Sequence, residues 1–196
     1  MRILLDLDGV VVDFVGGACK AHGRSSPYAA GPPSSDLAEC YWMPDLWEMP
    51  IDEFWKPMED PKFWEGLEFM PDGLEILKAC EEVVGKENVC LLTNPTKGSG
   101  PVVGKINWIE ENLPEYRDRN LIGKPKEFCA HAGSVLVDDS NHNIDTFEEA
   151  GGMVIMVPRP WNRLFHYDRE TPVDWVRNAL ESYKADPNWQ KEDDWE

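Results

Sequence analysis

Arg2-Ile3-Leu4-Leu5-Asp6-Leu7-Asp8-Gly9-Val10-Val11-Val12-Asp13 decides how this chain reads. It opens with an apolar run short enough for a buried parallel strand. Strand alternation sets Asp6 and Asp8 on the same side of the chain, about 6–7 Å apart. Gly9 then lets the backbone turn away and leaves room for a ligand. Two carboxylates converging where a strand stops can hold a hard cation such as Mg²⁺. They can also divide labour as nucleophile and proton donor. A surface turn rich in Asp and Gly is the plainer reading, and three further polar groups downstream weigh against it.

Those groups each follow an apolar run. Val89-Cys90-Leu91-Leu92 ends in Thr93-Asn94, Asn120-Leu121-Ile122-Gly123 leads to Lys124-Pro125-Lys126, and Val135-Leu136-Val137 ends in Asp138-Asp139. Buried strands are expected at residues 2–7, 88–93, 134–138 and 153–157, with a weaker one near 120–123. Helical patterns lie between them. Leu74, Leu77, Cys80 and Val84 share one face, as do Val103, Ile106, Ile109 and Leu113 before Pro114. Ile144, Phe147 and Ala150 mark a third helix, ended by Gly151-Gly152. Strand–helix alternation predicts an α/β fold with a parallel sheet covered on both faces. Such sheets bind ligands outside the carboxyl ends of their strands, where all the polar groups named here fall.

Residues 16–70 break the rhythm. A Ser-, Pro- and Gly-rich loop at 24–36 precedes Tyr41, Trp42, Trp47, Phe54, Trp55, Phe63 and Trp64. Most of these aromatics read as a compact mini-core, with one or two free to stack on a base. Gly16-Gly17 and Gly66 are candidate hinges for a lid, or glycines of ordinary turns. The tail from Tyr183 is polar and acidic apart from Trp189 and Trp195, and is expected to be disordered or loosely docked.

The ordered set of motifs resembles the haloacid dehalogenase superfamily of phosphatases and phosphotransferases: a DxD strand, a Thr or Ser strand, a Lys and an acidic pair. Within it the chain is most similar to 5'(3')-deoxyribonucleotidases and phage-type nucleotidases. That likeness rests on Asp8-Gly-Val-x-x-Asp-Phe14, Thr93-Asn94-Pro95, Lys105-x-x-Trp108-Ile109 and the run from Asp138 to Asn162. The run includes Asn143, Ala150-Gly151-Gly152 and Pro158-x-Pro160-Trp161-Asn162. Residues 1–15 and about 66–165 match well, residues 16–65 poorly.

The resemblance implies a Rossmann-like three-layer fold. Residues 1–15 and 71–182 would form the catalytic core, with a small helical cap at 16–70 and an acidic tail at 183–196. Asp6 would be the nucleophile, forming an aspartyl-phosphate, and Asp8 the acid and base. Mg²⁺ would be held by Asp6, Asp8 (through its backbone carbonyl) and Asp138, with Asp139 acting through water or as the direct ligand instead. Thr93 and Asn94 would hold phosphoryl oxygens. Lys126 would neutralise charge there, with Lys124 as the alternative. Lys105 matches a phosphate-contacting position or is a solvated helix residue, and Phe14 matches a base-contacting one. Asn143 would order the loop after Asp138-Asp139, while Trp161 and Asn162 would shape a rim or pack in the core.

The implied substrate is a small phosphomonoester, a deoxynucleoside monophosphate first and a sugar phosphate second. A receiver-like module that is phosphorylated without turnover is the non-enzymatic alternative. Receivers, however, carry the acidic pair on the first strand and the phosphorylated Asp later, the reverse of the order here. The net charge of −18 over 196 residues argues against a nucleic acid duplex as partner, since phosphate backbones need clustered Lys and Arg. Five cysteines without a C-x-x-C pair read as small hydrophobes in a reducing compartment. With no membrane span in view, a cytoplasmic protein is expected. The oligomeric state is open, a homodimer included.

Two suggestive motifs fail on inspection. Gly98 to Lys105 looks like a phosphate loop, but Ile106 stands where Ser or Thr is required. Asp139, Asn141, Asn143 and Asp145 mimic a calcium loop with Ile144 in the glycine position and Ala150 in the glutamate position. The four histidines lack metal-ligand spacing.

Overall fold

The computed structural model describes residues 1–29, 42–166 and 169–186. Five strands build one sheet: β1 (Arg2–Leu5), β2 (Val89–Thr93), β3 (Asn120–Ile122), β4 (Ser134–Asp138) and β5 (Met153–Met156). All neighbours are parallel, in the order β3-β2-β1-β4-β5. The sheet is the expected one, slightly trimmed at its strand ends. Ile3, Leu5, Leu91, Val135 and Val137 point into one large core, while Leu4, Leu92 and Leu136 point into a smaller one with Phe147. Period-two alternation thus buries both faces, which is why these strands are apolar throughout.

Three helices serve the large core: α5 (Gly73–Val84), α6 (Gly100–Asn112) and α8 (Pro172–Ala185). Helix α7 (Asn141–Glu149) and the 3-10 turn Lys126–Cys129 lie on the other face. Between β1 and α5 come α1 (Phe14–His22), α2 (Met43–Leu46), α3 (Ile51–Trp55) and α4 (Pro61–Glu65). Phe54, Met58 and Trp64 are buried there, and the Trp64 indole donates to the Met58 carbonyl at 2.8 Å. These residues do not form the separate mini-core expected of the aromatics: they are continuous with the large core that the sheet and its helices share. Segment 30–41, with Tyr41, and the tail from residue 187, with Trp189 and Trp195, lie outside the described residues. Tyr183 belongs to α8, and its hydroxyl donates to the Val154 carbonyl at 2.9 Å.

Two helix faces differ from expectation. On α5 the buried residues are Gly73, Ile76, Leu77, Ala79, Cys80 and Val83, while Leu74 is exposed and Val84 only partly covered. On α6, Val103 and Ile106 face solvent and the buried face is Gly104, Lys105, Trp108 and Ile109. The cause lies in what α6 packs against. Helix α4 approaches so closely that a Cβ on Gly104 would sit 2.5 Å from the Pro61 carbonyl oxygen and 2.7 Å from the Trp64 Cβ. The inner face of α6 therefore carries a glycine and a lysine rather than the apolar residues at 103 and 106.

Two of the expected hinge glycines, Gly16 and Gly17, are packing glycines within α1. A Cβ on Gly16 would meet the Asp13 carboxylate, and one on Gly17 would meet Leu67. The chain's departure to α1–α4 and its return are paired: Asp13 N–H donates to Glu68 O at 2.8 Å and Met70 N–H to Val11 O at 2.9 Å.

Gly104→Ala should destabilise the protein by about 1–3 kcal/mol through overpacking, outweighing the gain of under about 1 kcal/mol that Ala brings to a helix interior. Urea unfolding at equilibrium measures the difference.

Candidate active site

The sheet changes direction of travel at β1 and β4: from β1 the chain runs outward to β2 and β3, then returns to place β4 beside β1. At such a switch the loops leaving adjacent strands diverge and open a crevice. Asp6 follows β1 directly, with its N–H donating to Val137 O at 3.0 Å. Asp138 closes β4, and Asp139 follows it. Ligand atoms of Asp6, Asp138 and Asp139 lie within 4.8 Å of one another, all three residues being buried. The loop after β1 comes this near because Gly9 has no side chain. Its φ is +81°, and a Cβ there would lie 2.1 Å from an Asp139 carboxylate oxygen.

Three carboxylates so close repel strongly unless compensated. Lys126 supplies one positive charge. Its Nζ lies 2.6 Å from Asp138 Oδ2 and 2.7 Å from Asp6 Oδ1, and its side chain is 1% exposed. Lys124, the alternative, is exposed. Burial pushes the Lys126 ammonium down, but Asp138 and Asp6 outweigh it and hold its pKa above the ordinary lysine value. One cation does not balance the cluster. Burial drives the Asp6 carboxyl well above its ordinary range, against the pull of Lys126, and Asp138 pushes in the same direction. Burial, with Asp138 beside it, brings Asp139 to about 7, while the Trp161 indole N–H bonded to its Oδ2 works the other way. Asp6 Oδ1 is buried and, although ion-paired with Lys126, accepts no aligned hydrogen bond.

A buried, oxygen-only donor set with a carboxylate oxygen left unsatisfied suits a hard divalent cation such as Mg²⁺. Asp6, Asp138 and Asp139 are the side chains that fit it. The Asp138 carboxylate is also braced by Ser140 N–H at 2.8 Å and by Asn143 Nδ2 at 3.0 and 3.2 Å, the kind of outer support that orients metal-binding carboxylates. Asn143 thus orders this loop through Asp138 itself.

Asp8 stands apart from that trio. Its carboxylate pairs with Lys105 Nζ and faces the Thr93 hydroxyl at 3.5 Å. Lys105, which the sequence leaves as a phosphate contact or a solvated residue, is buried. It donates to Thr93 Oγ1 at 2.9 Å and lies 4.4 Å from the centre of the Trp64 ring. Thr93 is fully buried between these groups.

Asp6, Asp8, Lys126 and Asp139 form the floor of a cleft of about 230 Å³. Asn94 reaches it too, with a buried Oδ1 that has no partner. Phe14 lines it and stacks on Trp64, ring centres 5.7 Å apart.

Sequence reading passed over Arg159. Its buried guanidinium forms a two-pronged pair with Asp72 at 2.7 and 2.8 Å. It also donates from Nε to Gly9 O at 2.6 Å and from Nη2 to Val10 O at 3.3 Å. Three residues on, Asn162 Nδ2 donates to Asp139 O and Val157 O, both at 2.8 Å. Segment 159–162 therefore grips the loops after β1 and β4 at once. The two prolines and Trp-Asn mark it in sequence, but nothing there signals where the arginine points.

The model of one protein family, 5' nucleotidase, deoxy (pyrimidine), cytosolic type C protein (NT5C), matches residues 1–180. The human cytosolic-type 5'(3')-deoxyribonucleotidase is 27% identical over 150 residues, covering 72% of this chain and 71% of the human protein. Among solved structures, a HAD-family enzyme from Bacteroides thetaiotaomicron in complex with magnesium and inorganic phosphate aligns at 16% identity and a TM-score of 0.42, covering 86% of this chain and 98% of that one. A subfamily IA HAD-superfamily hydrolase from Geobacter sulfurreducens aligns at 17% identity and a TM-score of 0.45, covering 79% and 85%.

Mg²⁺ at about 100 times its dissociation constant should raise the free energy of unfolding by about 2.7 kcal/mol. Asp139→Asn, which thins the cluster, should shrink that gain. Thermal unfolding with Mg²⁺ and with chelator reads both, and an equal melting temperature in the two conditions contradicts a cation site.

Proposed function

The chain belongs to the family of 5' nucleotidase, deoxy (pyrimidine), cytosolic type C proteins, and from that premise we propose that it hydrolyses deoxynucleoside monophosphates with Mg²⁺ and a phosphorylated Asp6. At the coarser level it is a HAD-superfamily hydrolase related to 5'(3')-deoxyribonucleotidases. The observation that carries the proposal is the division of the two carboxylates of the Asp6-x-Asp8 motif. Asp6 sits in the buried cluster with Lys126, whereas Asp8 is held separately by Lys105 and Thr93 on the floor of the same cleft.

The division assigns chemistry. Asp6 attacks the phosphorus, so an Asp6 O–P bond forms as the ester P–O bond breaks, and Asp8 gives the leaving oxygen its proton. In the second half Asp8 takes a proton from water, whose oxygen attacks the phosphorus and frees Asp6. Lys105 and Thr93 fix where the Asp8 carboxylate points. Lys126 neutralises charge beside the transferring group, and the Asn94 side-chain N–H would donate to a phosphoryl oxygen. A divalent cation held by Asp6, Asp138 and Asp139 would supply the charge neutralisation that lets a phosphate approach this many carboxylates. Phe14 and its aromatic neighbours offer flat faces to a base.

No helix among the described residues is long and apolar enough to cross a membrane. A cytoplasmic location is part of the same reading.

Phosphate release from a panel of deoxynucleoside 5'- and 3'-monophosphates and sugar phosphates tests the proposal. Asp6→Asn should leave no measurable release, and Asp8→Asn should lower kcat by about 10²–10⁴-fold. Release confined to sugar phosphates would overturn the nucleotide assignment. Full activity of Asp6→Asn would overturn the mechanism.

A further inference from the structure

We propose that the cleft selects its substrate by charge: it takes a phosphomonoester whose organic group is neutral and rejects one carrying a second anion. The proposal rests on the phosphatase reading and names which esters that site admits.

The floor of the cleft is built for one phosphate. Among the described residues that line it, Lys126 is the one Lys or Arg, and its Nζ already faces Asp6 and Asp138. Lys105 is turned to Asp8, Thr93 and the Trp64 ring. It borders a separate small gap with Leu7, Val12 and Trp108. Arg159 is spent on Asp72 and on backbone carbonyls, and Arg163 pairs with Asp145.

The wall above the floor is of another kind. Phe14, Val15, Tyr28, Trp42, Met43 and Phe54 line it. Asn141, Asn143 and Ser140 add neutral polar groups. From Ser25 to Trp55 the sequence contains no Lys, Arg or His but six carboxylates: Asp36, Glu39, Asp45, Glu48, Asp52 and Glu53. Segment 30–41 falls inside this stretch and holds none of the three basic residue types. No arrangement of that segment therefore brings a cation to the wall. Arg24, just before the stretch, donates to Trp47 O at 2.7 Å and lies over the Trp47 ring.

A neutral ring laid on such a wall loses little hydration and gains stacking. A second phosphate or a carboxylate there would be desolvated with no Lys or Arg but Lys126 among the described lining residues, within a protein of net charge −18. Nucleoside monophosphates and aryl phosphates meet the condition. Nucleoside diphosphates, nucleoside bisphosphates and carboxylated esters do not.

Two matched pairs test this at a fixed free Mg²⁺ concentration: phenyl phosphate against 4-carboxyphenyl phosphate, and deoxythymidine 5'-monophosphate against its 3',5'-bisphosphate. We expect kcat/KM to fall by about 30-fold or more for the charged member of each pair, mostly through KM, as for an unpaired charge at a binding site. Trp42→Arg, which puts a cation on the wall at a partly exposed position, should narrow both ratios by about tenfold. Val15→Arg serves the same purpose should the first variant fail to fold. Equal kcat/KM within a pair overturns the proposal, as do ratios that neither arginine changes. Hydrolysis of phenyl phosphate with charge discrimination but no turnover of the nucleotide sinks the nucleotidase assignment and leaves charge selection standing. Failure to hydrolyse any of the four esters overturns the phosphatase reading and charge selection with it.

Discussion

A buried lysine between two buried aspartates sets the terms for this molecule. Lys126, Asp6 and Asp138 come from three separate segments, the turn before β4, the end of β1 and the end of β4. Placing such charges in a core is costly unless each faces an opposite partner. Their mutual contact therefore fixes where the strand ends lie relative to one another. It also leaves negative charge in excess, because Asp139 stands in the same cluster with one lysine for three carboxylates. That excess is what makes the site receptive to a divalent cation and, with the cation, to a phosphate.

Everything around the cluster keeps it in register. Arg159 and Asn162 bind the carbonyls of Gly9, Val10 and Asp139, and Trp161 binds the Asp139 carboxylate. One short segment after β5 thus governs the spacing between the two acidic loops. Arg159 extends this hold to Asp72, where the chain returns to the core at the start of α5. The paired backbone of Val11–Asp13 with Glu68–Met70 stiffens the same junction. The helices between β1 and α5 are anchored at their base, and a cleft wall carried on such an anchor presents a defined surface to the ligand.

The sheet was legible because buried parallel strands are apolar on both faces, so residues 89–93 and 134–138 stand out without any periodic test. The polar groups at their ends were legible for the same reason: each interrupts an apolar run. Helix faces were harder. On α6 the periodic test follows apolar residues, and Val103 and Ile106 satisfy it, but the buried face is made by a glycine that admits α4 and a lysine that reaches Asp8. On α5 nearly every position from Leu74 to Val84 that is not charged is apolar, so several stripes fit and packing chose the one through Ile76 and Val83. Arg159 was illegible because its partners are two carbonyls about 150 residues away and a single aspartate. No local pattern encodes such contacts.

The division of Asp6 and Asp8 into nucleophile and acid-base is the claim on which the account turns. It is tested most directly by trapping the phosphorylated protein. Asp8→Asn should still accept a phosphoryl group from a substrate with a good leaving group but release it slowly. Rapid acid quench of that variant with p-nitrophenyl phosphate and Mg²⁺, followed by mass spectrometry of its peptides, should find one added phosphoryl group on the peptide containing Asp6. A phosphoryl group on any other residue, or none on a variant that still turns over, would contradict the assignment.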